Sequence, residues 1–315
     1  MFAVGLTDHL EGPPNRPSAE IYAEVADLVR LADRLGVRYF WFSEHHEHAH
    51  HGHLPAPLLF ALHLAGQTER IQLGTAIICL NLHHPLSVAE QVAVADVLTG
   101  GRLAVGFGSG STPEEFGLFD LPVTEEIERH ERFAAALRAI RTAWAGPMLP
   151  KPTVDLPDRC WVAVNSVGSA RIAGAIGFNV LFSHLRTPDD YRRYVAEYRA
   201  AGGRGLIAVN RPVFVGPDDE SAFALAEPAL RTLWRRFRSE GKIPAETPEP
   251  AAAADLCGHP INFLVGGPTT VVRRLEELRS EVPFDVANLE FRWAGLGHDL
   301  VKESLRWFMT ELQSR

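Results

Sequence analysis

Short β-rich runs alternate with amphipathic stretches of helical length along this chain. That alternation constrains the fold more than any other feature, because it is the pattern of parallel strands joined by helical crossovers. Strands are expected at residues 2–6, 37–42, 71–80, 102–108, 160–164, 178–182, 206–215 and 287–291. The run 71–80 is almost wholly apolar, as befits a strand buried on both faces. Helices are expected at 18–35, with Ser18 as N-cap and Gly36 as the stop, and at 85–98, opened by Pro85. Others follow at 124–144, where Glu125, Glu126 and Glu128 suit a helix N-terminus, after Gly168, after Pro188, at 268–278 and at 298–312. These make about eight strand–helix units, the number that closes an α/β fold into a (β/α)8 TIM barrel. Residues 1–315 are therefore expected to form one domain. The stretch 241–265, rich in Pro, Ala and Glu in its first part, is an insertion after strand seven and a candidate lid over the barrel mouth.

Charge and cysteine usage narrow the function. With 31 Lys and Arg against 39 Asp and Glu, the net charge is −8 and no basic cluster stands out, so nucleic-acid binding is not expected. Hydrophobic residues at 46% and charged residues at 22% describe an ordinary globular mixture rather than a disordered chain. Cys79, Cys160 and Cys257 are odd in number and far apart, which argues against a disulfide framework or a cysteine zinc site and fits a reducing cytoplasm. The opening residues lack the basic-then-apolar pattern of a secretory signal, and no run approaches the ~18 apolar residues of a membrane span. A cytoplasmic enzyme with no membrane partner is the expectation.

In a parallel barrel the loops that follow the strands gather at one face, so polar residues there are the first candidates for chemistry. After strand two come Ser43, Glu44, His45, His46 and His48, then His50, His51 and His53. Metal ligands are usually drawn from separate elements, so no metal is expected here and His48 to His53 read as a solvated loop. His45 sits where strand hands over to loop, and its imidazole can relay a proton near neutral pH; Glu44 beside it is expected to orient the ring or support the loop. Strand three carries Gly74, Thr75 and Ala76. These small residues either admit something flat against the backbone or simply taper the barrel core. Gly106 to Thr112, including Ser109, offers glycines and hydroxyls suited to an anion, but no Lys follows as a Walker loop requires. Arg129 is a cationic candidate for a phosphate or a plain surface arginine. Asn165, Ser166 and Ser169 open the next helix, where backbone N–H groups and the dipole favour phosphate, although simple N-capping accounts for one of the two serines.

These segments in order resemble bacterial luciferase and its relatives. The resemblance rests on residues 41–46, on Arg70-Ile71-Gln72-Leu73-Gly74-Thr75-Ala76, and on His83-His84-Pro85-Leu86 with Ala89-Glu90. It continues through Gly100-Gly101-Arg102-Leu103, Gly106-Phe107-Gly108, and Glu115-Phe116 with Phe119. It is dense over 37–145 and thinner, though in register, at Asn165-Ser166 and at Leu289-Glu290-Phe291-Arg292-Trp293.

The resemblance implies a (β/α)8 barrel that binds reduced FMN or, in one branch, the deazaflavin F420. It implies that His45 is the catalytic histidine, with Glu44 beside it. Ala76 and Ile77 would back the flavin ring at a position where a non-proline cis peptide is common. Glu90, Ser109, Arg129, Asn165, Ser166 and Ser169 complete the cofactor candidates, the two serines and Arg129 being directed at the flavin phosphate. One departure stands out: Ser109 occupies the place of a phosphate-clamping arginine in many relatives, a loss of about 1–3 kcal/mol of binding. The implied reaction is a two-component monooxygenation. Reduced FMN from a separate flavin reductase reacts with O2 to a flavin C4a-peroxide that oxygenates a small organic substrate. The rivals are an F420-dependent oxidoreductase and a non-catalytic flavin-binding barrel or partner subunit. A homodimer is implied as well. Arg292 and Trp293 are read either as substrate or cofactor contacts or as packing at the barrel rim.

Overall fold

The structure is a computed structural model and describes residues 2–13, 15–47, 52–110, 112–259, 261–293 and 295–315. In chain order its elements are β1 (Ala3–Asp8), α1 (Ser18–Arg34), β2 (Tyr39–Phe42), α2 (Pro57–Ala65), β3 (Gln72–Cys79), α3 (Pro85–Leu98) and β4 (Leu103–Gly108). Next come α4 (Pro113–Leu118), α5 (Glu126–Ala145), β5 (Cys160–Val164), α6 (Val167–Ile176), β6 (Asn179–Phe182), α7 (Pro188–Ala200) and β7 (Ile207–Val215). The chain ends with α8 (Asp219–Ser239), β8 (Leu264–Gly266), α9 (Pro268–Glu281), β9 (Val286–Glu290) and α10 (His298–Gln313).

β1 to β7 pair in sequence order, all parallel. β9 then bridges β7, with Ala208 opposite Val286, and β1, with Ala3 opposite Val286, so eight strands close the expected (β/α)8 barrel. β8 pairs with the far end of β7, Val213 opposite Leu264.

Side chains fill the ring rather than leaving a pore. Tyr39, Trp41, Ala104, Trp161, Leu181, Ala208 and Val286 form one buried cluster inside it. Tyr39 stacks on Trp41 at 5.4 Å, and both meet Trp161 edge-on at 5.8 and 5.5 Å. This plug decides the reading of Gly74. A Cβ there would stand 2.5 Å from the Trp41 ring, so the glycine makes room for core tryptophan rather than for a ligand. The larger core lies between the strands and the helices packed outside them.

Several details differ from expectation, each for a local reason. α1 takes Pro17 as its N-cap, with extended ψ of 127°; Ser18 is already helical, and its Oγ lies 3.0 Å from His53 Nδ1. Gly36, at φ +79°, does end α1 as expected. α5 begins at Glu126 rather than Thr124, and Arg129 Nη1 donates to the Thr124 carbonyl at 3.4 Å. Helices α2, α4 and α8 and strand β8 go beyond the alternation read from the sequence. The stretch 241–265 is not detached: Ile243, Leu256, Cys257, Ile261 and Phe263 are buried against α8 in a second apolar cluster.

Asp33 ties the end of α1 to the start of β3. Its carboxylate accepts the N–H groups of Glu69 at 2.8 Å, Arg70 at 3.0 Å and Ile71 at 2.8 Å. Burial opposes the charge, but these donors prevail and hold the carboxyl below its ordinary range. Asp33→Ala should cost about 1–3 kcal/mol in urea unfolding at neutral pH. Because the folded pKa is depressed, the stabilisation is complete above the unfolded value of about 3.9 and is lost as pH falls through the folded one, so the gap between wild type and variant should shrink in acid.

Candidate active site

A cavity of about 460 Å³ opens at the C-terminal ends of the strands. Thr7, Asn210 and Asn288 lie deep in it, Ala76 and Ile77 come from β3, Ala163 and Val164 from β5, and Leu233, Arg236 and Phe237 from α8. His9, His45, His184 and Glu290 bring titratable groups, and Lys242, Phe263 and Trp293 complete the mouth. The insertion after β7 therefore contributes cavity wall.

His45 Nδ1 lies 3.2 Å from Glu115 Oε1, and the same oxygen accepts the His46 N–H at 3.2 Å. Burial of Glu115 raises its pKa, but the donors from His45 and His46 outweigh that and keep the carboxyl below its usual range. An ionised carboxylate only accepts, so Nδ1 is the donor and the lone pair of the neutral ring is on Nε2. The expectation that Glu44 orients His45 is thus corrected: Glu115, from α4, does so. Consecutive residues on an extended segment point to opposite sides, and Glu44 turns away from the cavity. Its Oε1 accepts from Nε2 of His46 at 2.9 Å and of His83 at 2.7 Å, and its Oε2 accepts the Cys79 N–H at 3.1 Å. Burial again works against the charge, and these donors depress the Glu44 pKa. Ligand atoms of Glu44, His46 and His83 lie within 4.8 Å of one another, a spacing a cation would accept, though as they stand they form N–H···O pairs. His48, His50, His51 and Ser111 lie outside the described residues.

The peptide between Ala76 and Ile77 is cis, at the position where the resemblance implied one. The Ala76 carbonyl accepts from Ser43 Oγ at 3.0 Å, and that hydroxyl lies 2.8 Å from His9 Nδ1. A hydroxyl has one proton. Since Ser43 gives it to Ala76, His9 Nδ1 must be the donor in the second contact, and the His9 lone pair is on Nε2, 3.5 Å from Glu290 Oε1. Burial lowers the His9 pKa and pushes that of His184 down to about 3. Burial, then the neighbouring Glu11 and Asp8, raises Glu290 well above an ordinary carboxyl. Asn210 Oδ1, Asn288 Oδ1 and Glu290 Oε2 are buried without a hydrogen-bond partner among the described residues.

The remaining candidates divide. Asn165 lines the cavity with His45, Ala76 and Ile77. Ser166 and Ser169 bond each other as a reciprocal capping box at the start of α6, so helix capping accounts for both hydroxyls rather than one. Ser109 and Arg129 sit outside the cavity lining, joined by Asn81, whose Nδ2 donates to both their carbonyls at 3.0 Å. Arg129 Nε is buried with no partner among the described residues, and a Cβ on Gly168 would meet the adjacent His130 at 2.5 Å, which places this end of α5 against the start of α6. Glu90 is exposed on α3 and does not reach the cavity; it shares an outward face with Leu86, Val94 and Val97. Trp293 lines the cavity, whereas Arg292 is buried packing: its Nη1 meets Asp8 Oδ1 at 3.2 Å and its Nη2 the Glu11 carbonyl at 2.8 Å. His9, Glu115, His184, Asn210, Asn288 and Glu290 were not anticipated. For His9, His184 and Glu290 the sequence did hold a sign, a polar residue at the end of β1, β6 or β9.

The fold and this mouth define an α/β barrel with a polar cavity at the C-terminal ends of its strands. The chain belongs to the luciferase-like monooxygenase family, which it matches over residues 2–283. It is 23% identical over 290 residues to the oxygenase component of flavin-dependent trigonelline monooxygenase from Acinetobacter baylyi, covering 82% of this chain and 80% of that one. It is 32% identical over 180 residues to F420-dependent glucose-6-phosphate dehydrogenase from Beutenbergia cavernae, covering 51% of this chain and 53% of that one. Among solved structures, monooxygenase RslO1 from Streptomyces bottropensis superposes with a TM-score of 0.85 at 24% identity, over 99% of both chains. The oxygenating constituent of 3,6-diketocamphane monooxygenase from Pseudomonas putida, solved with FMN, gives a TM-score of 0.77 at 20% identity over 100% and 97%. Among the described residues, no helix is long and apolar enough to cross a membrane.

Glu44→Ala would leave three donors, from His46, His83 and Cys79, without their buried acceptor. Urea unfolding should show a loss of about 2–4 kcal/mol, whereas Glu115→Gln, which keeps an acceptor oxygen beside His45, should lose less than about half as much.

Proposed function

We propose that this chain is the oxygenase of a two-component, flavin-dependent monooxygenase. In this reading it takes reduced FMN from a separate reductase and uses O2 to oxygenate a small organic substrate. The observation that carries the reading is the pairing of His45, held by Glu115, with the Ala76–Ile77 edge on one cavity at the strand ends. Reduced flavin supplies the electrons that activate O2. The residues present fit such a group. Ala76, Ile77 and Ala163 give an apolar wall, and Asn165 lines the cavity just before α6. The N–H groups of the α6 first turn and the unpartnered Nε of Arg129 are the donors for a phosphate. With the Ser166 and Ser169 hydroxyls engaged in capping, and Ser109 where an arginine was expected, the phosphate would be held chiefly by backbone. That suits a flavin that arrives and leaves as a substrate. His45 holds or moves a proton at Nε2, and the apolar mouth of Leu185, Phe237 and Phe263 excludes water.

Protein loaded with photoreduced FMN and mixed with O2 is expected to pass through a species whose absorbance is neither that of reduced nor of oxidised FMN. A single-step return to oxidised FMN would count against the proposal. His45→Ala should slow product formation by about 10²–10⁴-fold. F420 is the second reading, favoured by the dehydrogenase likeness, and a fluorescence titration in which F420 binds more tightly than FMN would select it.

A homodimer in a cytoplasmic setting completes the proposal. Leu59 of α2 and Leu86, Val94, Val97 and Leu98 of α3 are exposed apolar residues on neighbouring helices, and such patches commonly mark interfaces. Sedimentation should give twice the chain mass, and Val97→Glu with Leu98→Glu should shift the protein to monomer without loss of fold.

A further inference from the structure

The proposed function leaves unused a second set of polar groups in the same cavity. Glu290 ends β9, and its carboxyl group faces the cavity with Oε1 3.5 Å from His9 Nε2. Its other oxygen is buried with no hydrogen-bond partner among the described residues, 3.9 Å from His184 Nδ1. Three aromatic side chains, Phe237, Phe263 and Trp293, line the same cavity, and Phe263 meets Trp293 edge-on at 4.7 Å. The nearby cations are matched by carboxylates, Arg236 with Glu11 at 3.0 Å and Lys242 with Glu240 at 2.7 Å, so the mouth is not built for a net anion.

We propose that His9 and Glu290 form a substrate-binding and proton-accepting pair for the hydroxyl group of an uncharged hydroxylated aromatic compound. The inference rests on the monooxygenase reading and names the substrate class for it. The hydrogen-bond logic follows from the Ser43 relay. Ser43 gives its proton to the Ala76 carbonyl, which leaves His9 Nδ1 as donor to Ser43 and His9 Nε2 as acceptor. Burial favours the protonated form of Glu290, which makes that carboxyl a donor, and the neutral form of His9. One neutral donor and one neutral acceptor, separated by a gap too long for a good mutual bond, together match a group that both accepts and donates. A phenolic hydroxyl is such a group, whereas an aryl ether can use only the donor.

The proton step is simple. The phenol O–H bond breaks and an N–H bond forms at His9 Nε2, while the electron pair left on oxygen is hydrogen-bonded by Glu290 and delocalised into the ring. The ring becomes more nucleophilic at the carbons ortho and para to that oxygen, as oxygen transfer to an aromatic ring requires. When oxygen is added at such a carbon, its C–H bond breaks as the ring regains aromaticity and that proton leaves to solvent, while the proton held on His9 Nε2 returns to the substrate oxygen.

The test is binding to the flavin-free protein by calorimetry, with 1-naphthol and 1-methoxynaphthalene as probes of equal ring system. Wild type should prefer 1-naphthol by about tenfold or more, since a buried site built for a hydroxyl rejects an analogue that cannot donate. His9→Ala, which removes the acceptor only the hydroxyl can use, should reduce that preference to less than about threefold while leaving 1-methoxynaphthalene affinity within about twofold. Glu290→Ala, which removes the donor both probes use, should weaken both by a similar factor, and Glu290→Gln, whose amide still donates, should restore both. Equal affinity of wild type for the two probes, or a preference that survives His9→Ala, overturns the proposal. If a variant does not fold by circular dichroism, the wild-type comparison and Glu290→Gln decide. The outcome is separable from the cofactor question: a naphthol preference without an oxygen-dependent flavin transient sinks the monooxygenase reading alone, and the transient without the preference sinks this one alone.

Discussion

Closure of the ring by β9 is the constraint on which the rest depends. β9 pairs on one side with β7 and on the other with β1, and only through that double pairing do all eight strand ends arrive at one rim. An open sheet with the same helices would leave His9, at the end of β1, and Glu290, at the end of β9, on separate edges. The aromatic plug of Tyr39, Trp41 and Trp161 makes closure sterically consistent, because a ring of this size needs large side chains to fill it. Gly74 is part of the same solution, ceding its side-chain space to Trp41.

Polarity rises through the barrel in layers. The plug is apolar apart from the Tyr39 hydroxyl and two indole N–H groups, Trp41 Nε1 and Trp161 Nε1, and those two N–H groups have no partner among the described residues. Above it lie Thr7, Asn210 and Asn288, with Asn288 Nδ2 donating to Thr7 Oγ1. The next layer holds His9, His45, His184 and Glu290. The strand period of two produces this order, since alternate residues of β7 and β9 step up the interior from Ala208 to Asn210 to Pro212 and from Val286 to Asn288 to Glu290. Amides between plug and titratable groups supply dipoles without net charge, so the charges above them are governed by one another and by burial.

The sequence carried the barrel well, because strands buried on both faces and crossover helices differ sharply in period. It also carried the place of His45, Ala76, Ile77 and Asn165 on the cavity wall, because they lie at the ends of strands that the alternation locates. It was weaker where a partner comes from a distant segment. Glu44 is adjacent to His45 in the chain, yet its side chain leaves on the opposite side of the extended backbone, and the group that meets the imidazole is Glu115, seventy residues on. Glu90 fails for a related reason: which face of α3 meets the barrel is set by packing, and that position faces outward. The Ser166 and Ser169 pair reads equally as an anion site or a capping box at sequence level, and only side-chain geometry separates the two. The stretch 241–265 was legible as an insertion, but its docking on α8 depends on apolar residues scattered too irregularly to show a period.

Two carboxyl groups next to histidines sit at this rim, and their environments drive them apart. Glu115 is surrounded by donors from His45 and His46, which stabilise its charge against burial. Glu290 faces acceptors and other acids, with Glu11 and Asp8 adding to the burial that opposes its charge. The same residue type therefore plays opposite parts, an ionised acceptor on one side and a neutral donor on the other, and each fixes the role of its own imidazole. Glu115 makes His45 donate at Nδ1, and the Ser43 hydroxyl makes His9 do the same. Both rings are left with the lone pair on Nε2, and they stand 5.8 Å apart between ring centres. Within each pair, His45 with Glu115 and His9 with Glu290, a proton can move between acid and base without changing the net charge of the rim. In the proposed reaction that separation is useful: proton traffic at the activated oxygen and at the substrate hydroxyl is handled by different groups, so neither has to wait for the other.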